Sequence, residues 1–309
     1  MKLAGWVCIL LLTIQPVSLI GIGGNGGSSK EAWMVFHSPV QEKLAGEIRT
    51  ILEDHCRRII LYLGLRDCPA VTVWIADSPD DFRGLTRGQI PEWATAASDP
   101  ALSAIYLQGW RGWDLDRLEE EVVHEYSHVA LSQATLNRPL PRWLDEGFAQ
   151  LQAREVSLEG TVAVSRSVLS GNLIRLADIE ELLTFPRGKA AVAYRLSYEA
   201  VLYLHQLAGP AGFASLVRNI RQGYDLEAAV RRSTGLEWRL FEQSWNERLR
   251  TMYRWYILLD YPVLFGASIL FLLASGFLVT KIRNRRKVQK WKEDDNLVLQ
   301  KTQSAQVQS

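Results

Sequence analysis

Cysteine, methionine and histidine are scarce in this chain of 309 residues, and neither sign of charge prevails. Three cysteines limit it to one bridge, and Cys8 lies in the N-terminal apolar run. That leaves Cys56 and Cys68, either bridged in an oxidising compartment or kept as two buried thiols. With 35 basic and 34 acidic residues there is no bulk field to gather a polyanion, so no nucleic-acid partner is expected. No internal repeat is visible. Of five histidines, His55 and His37 have no partner at ligand spacing, and His205 reads as structural. That leaves His124 and His128. What the chain does have is apolar residues (48%) and 11 tryptophans, which favour a folded core over disorder.

Both ends carry targeting signals. Met1-Lys2, the apolar run Leu3–Ile14 and a small-residue exit make residues 1–24 a signal peptide or an N-terminal anchor. Residues 25–31 form a Gly/Ser linker. No charge interrupts Tyr261–Thr280, and 257–280 read as one transmembrane helix. Lys281, Arg283, Arg285, Arg286, Lys287, Lys290 and Lys292 follow at once. By the positive-inside rule the tail 281–309 stays cytoplasmic and the preceding domain lies across a cell membrane. The basic residues can also contact anionic lipid. From Glu293 to Ser309 the composition predicts disorder.

Residues 32–252 read as one α+β domain, with strands in its first half and helices after. Ser38, Pro39 and Gln41 predict a capped start for a helix whose apolar face runs from Leu44 to Leu63, with Gly64 as its stop. Val71–Ala76 reads as a buried strand, Ser78 as the cap of a short helix, Gly88–Pro100 as a loop and Ala104–Leu107 as a second strand. A long helix is predicted over Leu115–Thr135 and another over Trp143–Ala153, then a possible strand at Thr161–Val164. Further helices follow near Ala177–Leu183, Lys189–Leu207, Ala211–Ile220, Leu226–Arg232 and Leu236–Met252, with Gly209-Pro210 and Gly223 between them.

The chemistry is concentrated in His124-Glu125-Tyr126-Ser127-His128. Imidazoles four residues apart share one face of a helix and can hold a zinc ion. Glu125 projects about 100° round the helix, within reach of whatever they hold. A zinc enzyme usually needs a third protein ligand. The next acidic residues, Asp145 and Glu146, stand in Trp143-Leu144-Asp145-Glu146-Gly147-Phe148-Ala149, one tight turn later.

Together, H-E-x-x-H and W-L-x-E-G-x-A resemble the gluzincin metallopeptidases, closest to the peptidase-MA-like domain and more distantly to aminopeptidases of the alanyl type. The resemblance extends in element order over most of Phe36–Arg250. It implies a zincin-like fold, Zn²⁺ as cofactor, Glu146 as third ligand and Glu125 as catalytic base. Asp145 would orient a ligand from behind. A later tyrosine would steady the oxyanion: Tyr194 first, Tyr198 second. By analogy, Ala104–Leu107 would be the edge strand that pairs with an extended peptide. No G-x-M-E-N stretch is present to recognise a free amine, so a true aminopeptidase is not expected.

The expected function is hydrolysis of peptide bonds in a peptide or protein substrate by a membrane-anchored zinc peptidase, endopeptidase-like in its binding. The alternative is a zincin-fold binding or sensing module without catalysis, against which the intact Glu125 argues.

Overall fold

The computed structural model describes residues 33–306, apart from 89, 91–93, 156 and 257–260. The signal or anchor at 1–24 and the linker at 25–31 lie outside the described residues. The chain divides into two compact units, residues 1–254 and 255–309.

The first unit opens with a four-stranded sheet: β1 (Trp33–Phe36), β2 (Val71–Ala76), β3 (Ala96–Asp99) and β4 (Ala104–Gln108). Its order is β1-β2-β4-β3, with β1/β2 and β2/β4 parallel and β3/β4 antiparallel. Between β1 and β2 runs α1 (Glu42–Leu63), whose buried Ile48, Leu52, Cys56 and Ile59 recur at helical spacing against the core. Gly64 ends it in the left-handed conformation, φ 66°. The predicted Ser38 cap does not form. A single 3₁₀ turn, Pro39–Gln41, precedes α1, and the Ser38 hydroxyl donates to Asp77 at 2.7 Å instead. The same motif does work at α2 (Pro79–Leu85), where Ser78 accepts the Asp81 N–H. Val73, Ile105 and Leu107 join the main core on one face of the sheet. Tyr106 and Ala97 meet Phe82 of α2 on the other.

Two strands escape the sequence reading, and one consequence is a correction. β1 is short and half-exposed. β3 is Ala-Ala-Ser-Asp, with weak intrinsic preference for extended structure, and is held in place by pairing with β4 through a tight turn. Asp99 closes that turn by accepting the Leu102 N–H at 3.1 Å. β4, expected at the edge, is therefore internal; the outer strands of the sheet are β1 and β3, and all four residues of β3 are buried.

Helices dominate the rest: α3 (Leu115–Ala134), α4 (Arg142–Ala153), α5 (Leu158–Ser170), α6 (Arg187–Arg221), α7 (Leu226–Thr234) and α8 (Trp238–Tyr253). The run Thr161–Val164, predicted as strand, lies within α5. Ser157 caps this helix by accepting the Gly160 N–H at 2.9 Å, and Gly160 packs close to Arg195 and Ala191 of α6. Leu176–Thr184 winds as a 3₁₀ helix, because Leu176, Ile179 and Leu182 enter the core at a spacing of three. Gly209 (φ 65°, ψ −176°) with Pro210 breaks α6 in two where the sequence separates two helices.

The second unit carries α9 (Tyr261–Gln306). Leu264–Gln289 is long and apolar enough to cross a membrane, and its side chains are unburied. Gly188–Arg221 of α6 also has the length and composition for a span, but it is a partly buried element of the first unit. Disorder predicted from Glu293 is not what is found: α9 continues through Gln306. Neither Gly nor Pro occurs in 281–309, so nothing local stops the helix.

Candidate metal centre

Two consecutive helices build the site. α3 crosses the middle of the first unit, and every residue from Glu121 to Leu131 is buried. A helix buried on all sides must find partners for its polar side chains, and α4 supplies them. α4 starts at Arg142, whose backbone N–H donates to Glu180 at 2.8 Å. Trp143 and Leu144 anchor it, each 1% exposed, and Trp143 lies against Trp238 of α8. Glu146 follows.

Ligating atoms of His124, His128 and Glu146 lie within 4.8 Å of one another. The two imidazole Nε2 atoms are 3.0 Å apart, and a Glu146 carboxylate oxygen stands 3.8 Å and 3.9 Å from them. Behind each ring is a second carboxylate. His128 Nδ1 donates to Asp145 at 2.8 Å, and His124 Nδ1 donates to Glu155. Carboxylates only accept, so each Nδ1 carries a hydrogen, which turns each Nε2 to the inside as the atom that would ligate a metal. At 3.0 Å the two Nε2 atoms are at hydrogen-bond distance, and a divalent ion would take the place of the proton between them. Glu146 also calls for a cation: it is fully buried, accepts no hydrogen bond, and has the Arg142 guanidinium 3.5 Å from Oε1.

The electrostatics agree. Burial alone would depress the His124 imidazole, but Glu155, Glu125 and Glu146 outweigh it and raise it to about 10. His128 is raised against burial by Asp145 and Glu146. Burial likewise raises Glu146 despite the two histidines. The cluster holds more negative charge than it can neutralise, and a divalent ion meets that need with geometry suited to two imidazoles and a carboxylate. These residues fit zinc.

Glu125, 2% exposed, is carried beside His124 on the same turn of α3. Gly147 shows why α4 can bring Glu146 inward. A Cβ there would sit 2.2 Å from the Ser197 carbonyl oxygen, so only glycine lets α6 approach so closely. Tyr194 and Tyr198 flank that contact on α6. Tyr194 is half-buried against the core, while Tyr198 lies under the Arg195 guanidinium carbon at 4.7 Å. His55 binds Glu119 and Arg58, His37 lies by Glu42, and His205 packs against Tyr62, each outside the cluster.

Glu155 is the residue sequence reading missed. It lies in no motif. It reaches His124 because Arg154 adopts φ 57° and the Glu155 N–H folds back to Gln150 O at 3.1 Å. Its signal was positional: α4 runs back along α3, so an acid just past its end falls level with the first histidine.

A small mixed sheet beside an H-E-x-x-H helix, with a glutamate delivered by the next helix, defines a metallopeptidase-like domain of gluzincin type. The chain belongs to the Peptidase MA superfamily, whose family model matches residues 56–251. No curated protein matches the chain.

Proposed function

We propose that this protein is a membrane-anchored, zinc-dependent endopeptidase. The observation that carries the reading is the convergence of His124, His128 and Glu146 within 4.8 Å, with Glu125 on the adjoining position of α3. His124, His128 and Glu146 would hold the metal. A bound zinc ion polarises a carbonyl and makes water a nucleophile at neutral pH. Glu125 takes the proton of the attacking water and passes it to the departing amine. Tyr194, favoured over Tyr198 by the likeness of its helix to the corresponding aminopeptidase helix, would donate its phenol to the developing oxyanion. The lack of a G-x-M-E-N stretch argues against recognition of a free amine and so favours an endopeptidase over an aminopeptidase.

Anchoring follows from the apolar run of α9, and the lysines and arginines just after it orient the tail to the cytoplasm, in reach of anionic lipid. The peptidase unit then lies outside, which the Cys56–Cys68 bridge supports, since disulfides persist in oxidising compartments.

The test uses the full chain in detergent, with metal content and cleavage of an unfolded protein as readouts. Glu125→Gln is expected to retain zinc and lose roughly a hundredfold or more of the activity. Undiminished cleavage by Glu125→Gln would sink the proposal. Stoichiometric zinc without any cleavage would favour a binding module instead.

A further inference from the structure

Arg142 stands at a place where helices disfavour a cation. It is the first residue of α4, at the positive end of the macrodipole, where an acid would be stabilised. A guanidinium on so long a stem could turn out to water. It turns inward instead: the side chain is 19% exposed and brings Nη1 to 3.5 Å from Oε1 of Glu146, one turn along the helix. That contact is an ion pair without a hydrogen bond, so the guanidinium acts on Glu146 by charge.

Glu146 therefore has two unlike oxygens. Oε2 faces the His124 and His128 Nε2 atoms at 3.8 Å and 3.9 Å, and Oε1 faces Arg142. The difference bears on what the metal centre can do. A carboxylate that ligates through both oxygens fills two positions round a metal, whereas one that ligates through a single oxygen leaves a position for water or a substrate carbonyl. A cation beside the ion also opposes its binding, by like charge. An arrangement built for metal affinity alone would not place one there.

We propose that Arg142 is a positioning residue: it engages the outer oxygen of Glu146, so that Glu146 offers the metal one oxygen and a coordination position stays open. Metal affinity is lower for it. This rests on reading His124, His128 and Glu146 as metal ligands. The effect is opposite in sign to that of Asp145 and Glu155, which as acceptors behind the rings strengthen the ligands they touch.

The experiment uses the full chain in detergent and compares wild type with Arg142→Met and Arg142→Lys. The backbone N–H of residue 142, which donates to Glu180, is present in all three, so the start of α4 is retained. Measurements are made at about pH 8, where protons compete weakly for the ligands. They are zinc affinity by chelator competition, the visible spectrum of the cobalt(II)-loaded protein, and steady-state cleavage of an unfolded protein. Cobalt absorption weakens severalfold when a four-coordinate ion becomes five-coordinate. Arg142→Met should bind zinc about tenfold more tightly, lose most of the cobalt absorption and lower kcat about tenfold or more. Arg142→Lys keeps the charge and should stay close to wild type in all three. Removing a mere support for α4 would weaken zinc binding. Weaker binding or an unchanged cobalt spectrum in Arg142→Met therefore overturns the proposal, as does a Lys variant that matches the Met variant. Wild type that takes up no metal refutes the metal centre, and the proposal with it. Metal uptake without cleavage refutes only the peptidase reading, and the cobalt spectra still decide the role of Arg142.

Discussion

Four carboxylates surround two imidazoles in this site, and each side chain's task follows from what it faces. Asp145 and Glu155 face Nδ1 hydrogens and fix the rings; Glu146 faces the two Nε2 atoms and accepts no hydrogen bond. Removing a ring's outer partner frees its tautomer and orientation. Glu155→Ala is therefore expected to weaken zinc binding about 10- to 100-fold by chelator competition, as such outer contacts generally do. An unchanged affinity would remove Glu155 from the centre. Glu121 is a different case. Burial raises it from 4.5 to about 7, against the Thr95 hydrogen bond that lowers it. The folded chain thus keeps a proton that the unfolded chain has lost between those values. Stability accordingly falls as pH rises through that window, by at most about 3 kcal/mol. In metal-free protein, Glu121→Gln should raise the melting temperature at pH 8 and leave it unchanged near pH 4. The reverse order would show Glu121 to be stabilised as an anion.

Among the elements, α3 and α4 were legible in the sequence nearly to the residue, because burial, spacing and chemistry coincide there. H-E-x-x-H requires a helix, and Trp143-Leu144 requires a core to enter. β3 was not legible, since Ala96–Asp99 has no pattern of its own and borrows its conformation from β4. α5 was misread because Thr161, Val162 and Val164 carry a local preference that the Ser157 cap and contact with α6 override. The α4–α6 contact can be tested at Gly147. Ala there would push its Cβ against backbone, which cannot swing aside, so the helices must part. Gly147→Ala is expected to cost about 1–3 kcal/mol or more and to lower metal affinity by displacing Glu146. Gly46, in the first half of α1, has nothing within 4 Å of an added Cβ. Gly46→Ala should instead stabilise by about 0.5–1 kcal/mol, and comparing thermal melts of the two separates packing from backbone entropy.

For the molecule as a whole, charge is nearly balanced, and under the proposed anchoring the local asymmetry around α9 would set the orientation. The bridge between Cys56 and Cys68, with Cα atoms 5.8 Å apart, ties α1 to the segment entering β2 and closes a short loop. Opening it should cost roughly 3 kcal/mol. In a unit of this size that is a fall of about 6–12 °C in melting temperature on reduction. In cells, a chain lacking residues 1–24 should keep both thiols open to alkylation, whereas the full chain should protect them; protection in both would contradict export. The metal centre makes no such long-range demand. Its ligands and their supports, His124, His128, Asp145, Glu146 and Glu155, all come from one stretch of two helices, the turn joining them and the residues just past the second. Its contact order is therefore low, and the cage can assemble as soon as that hairpin has been made. Closure by α6, encoded some forty residues later, then seals a site already shaped to take its ion.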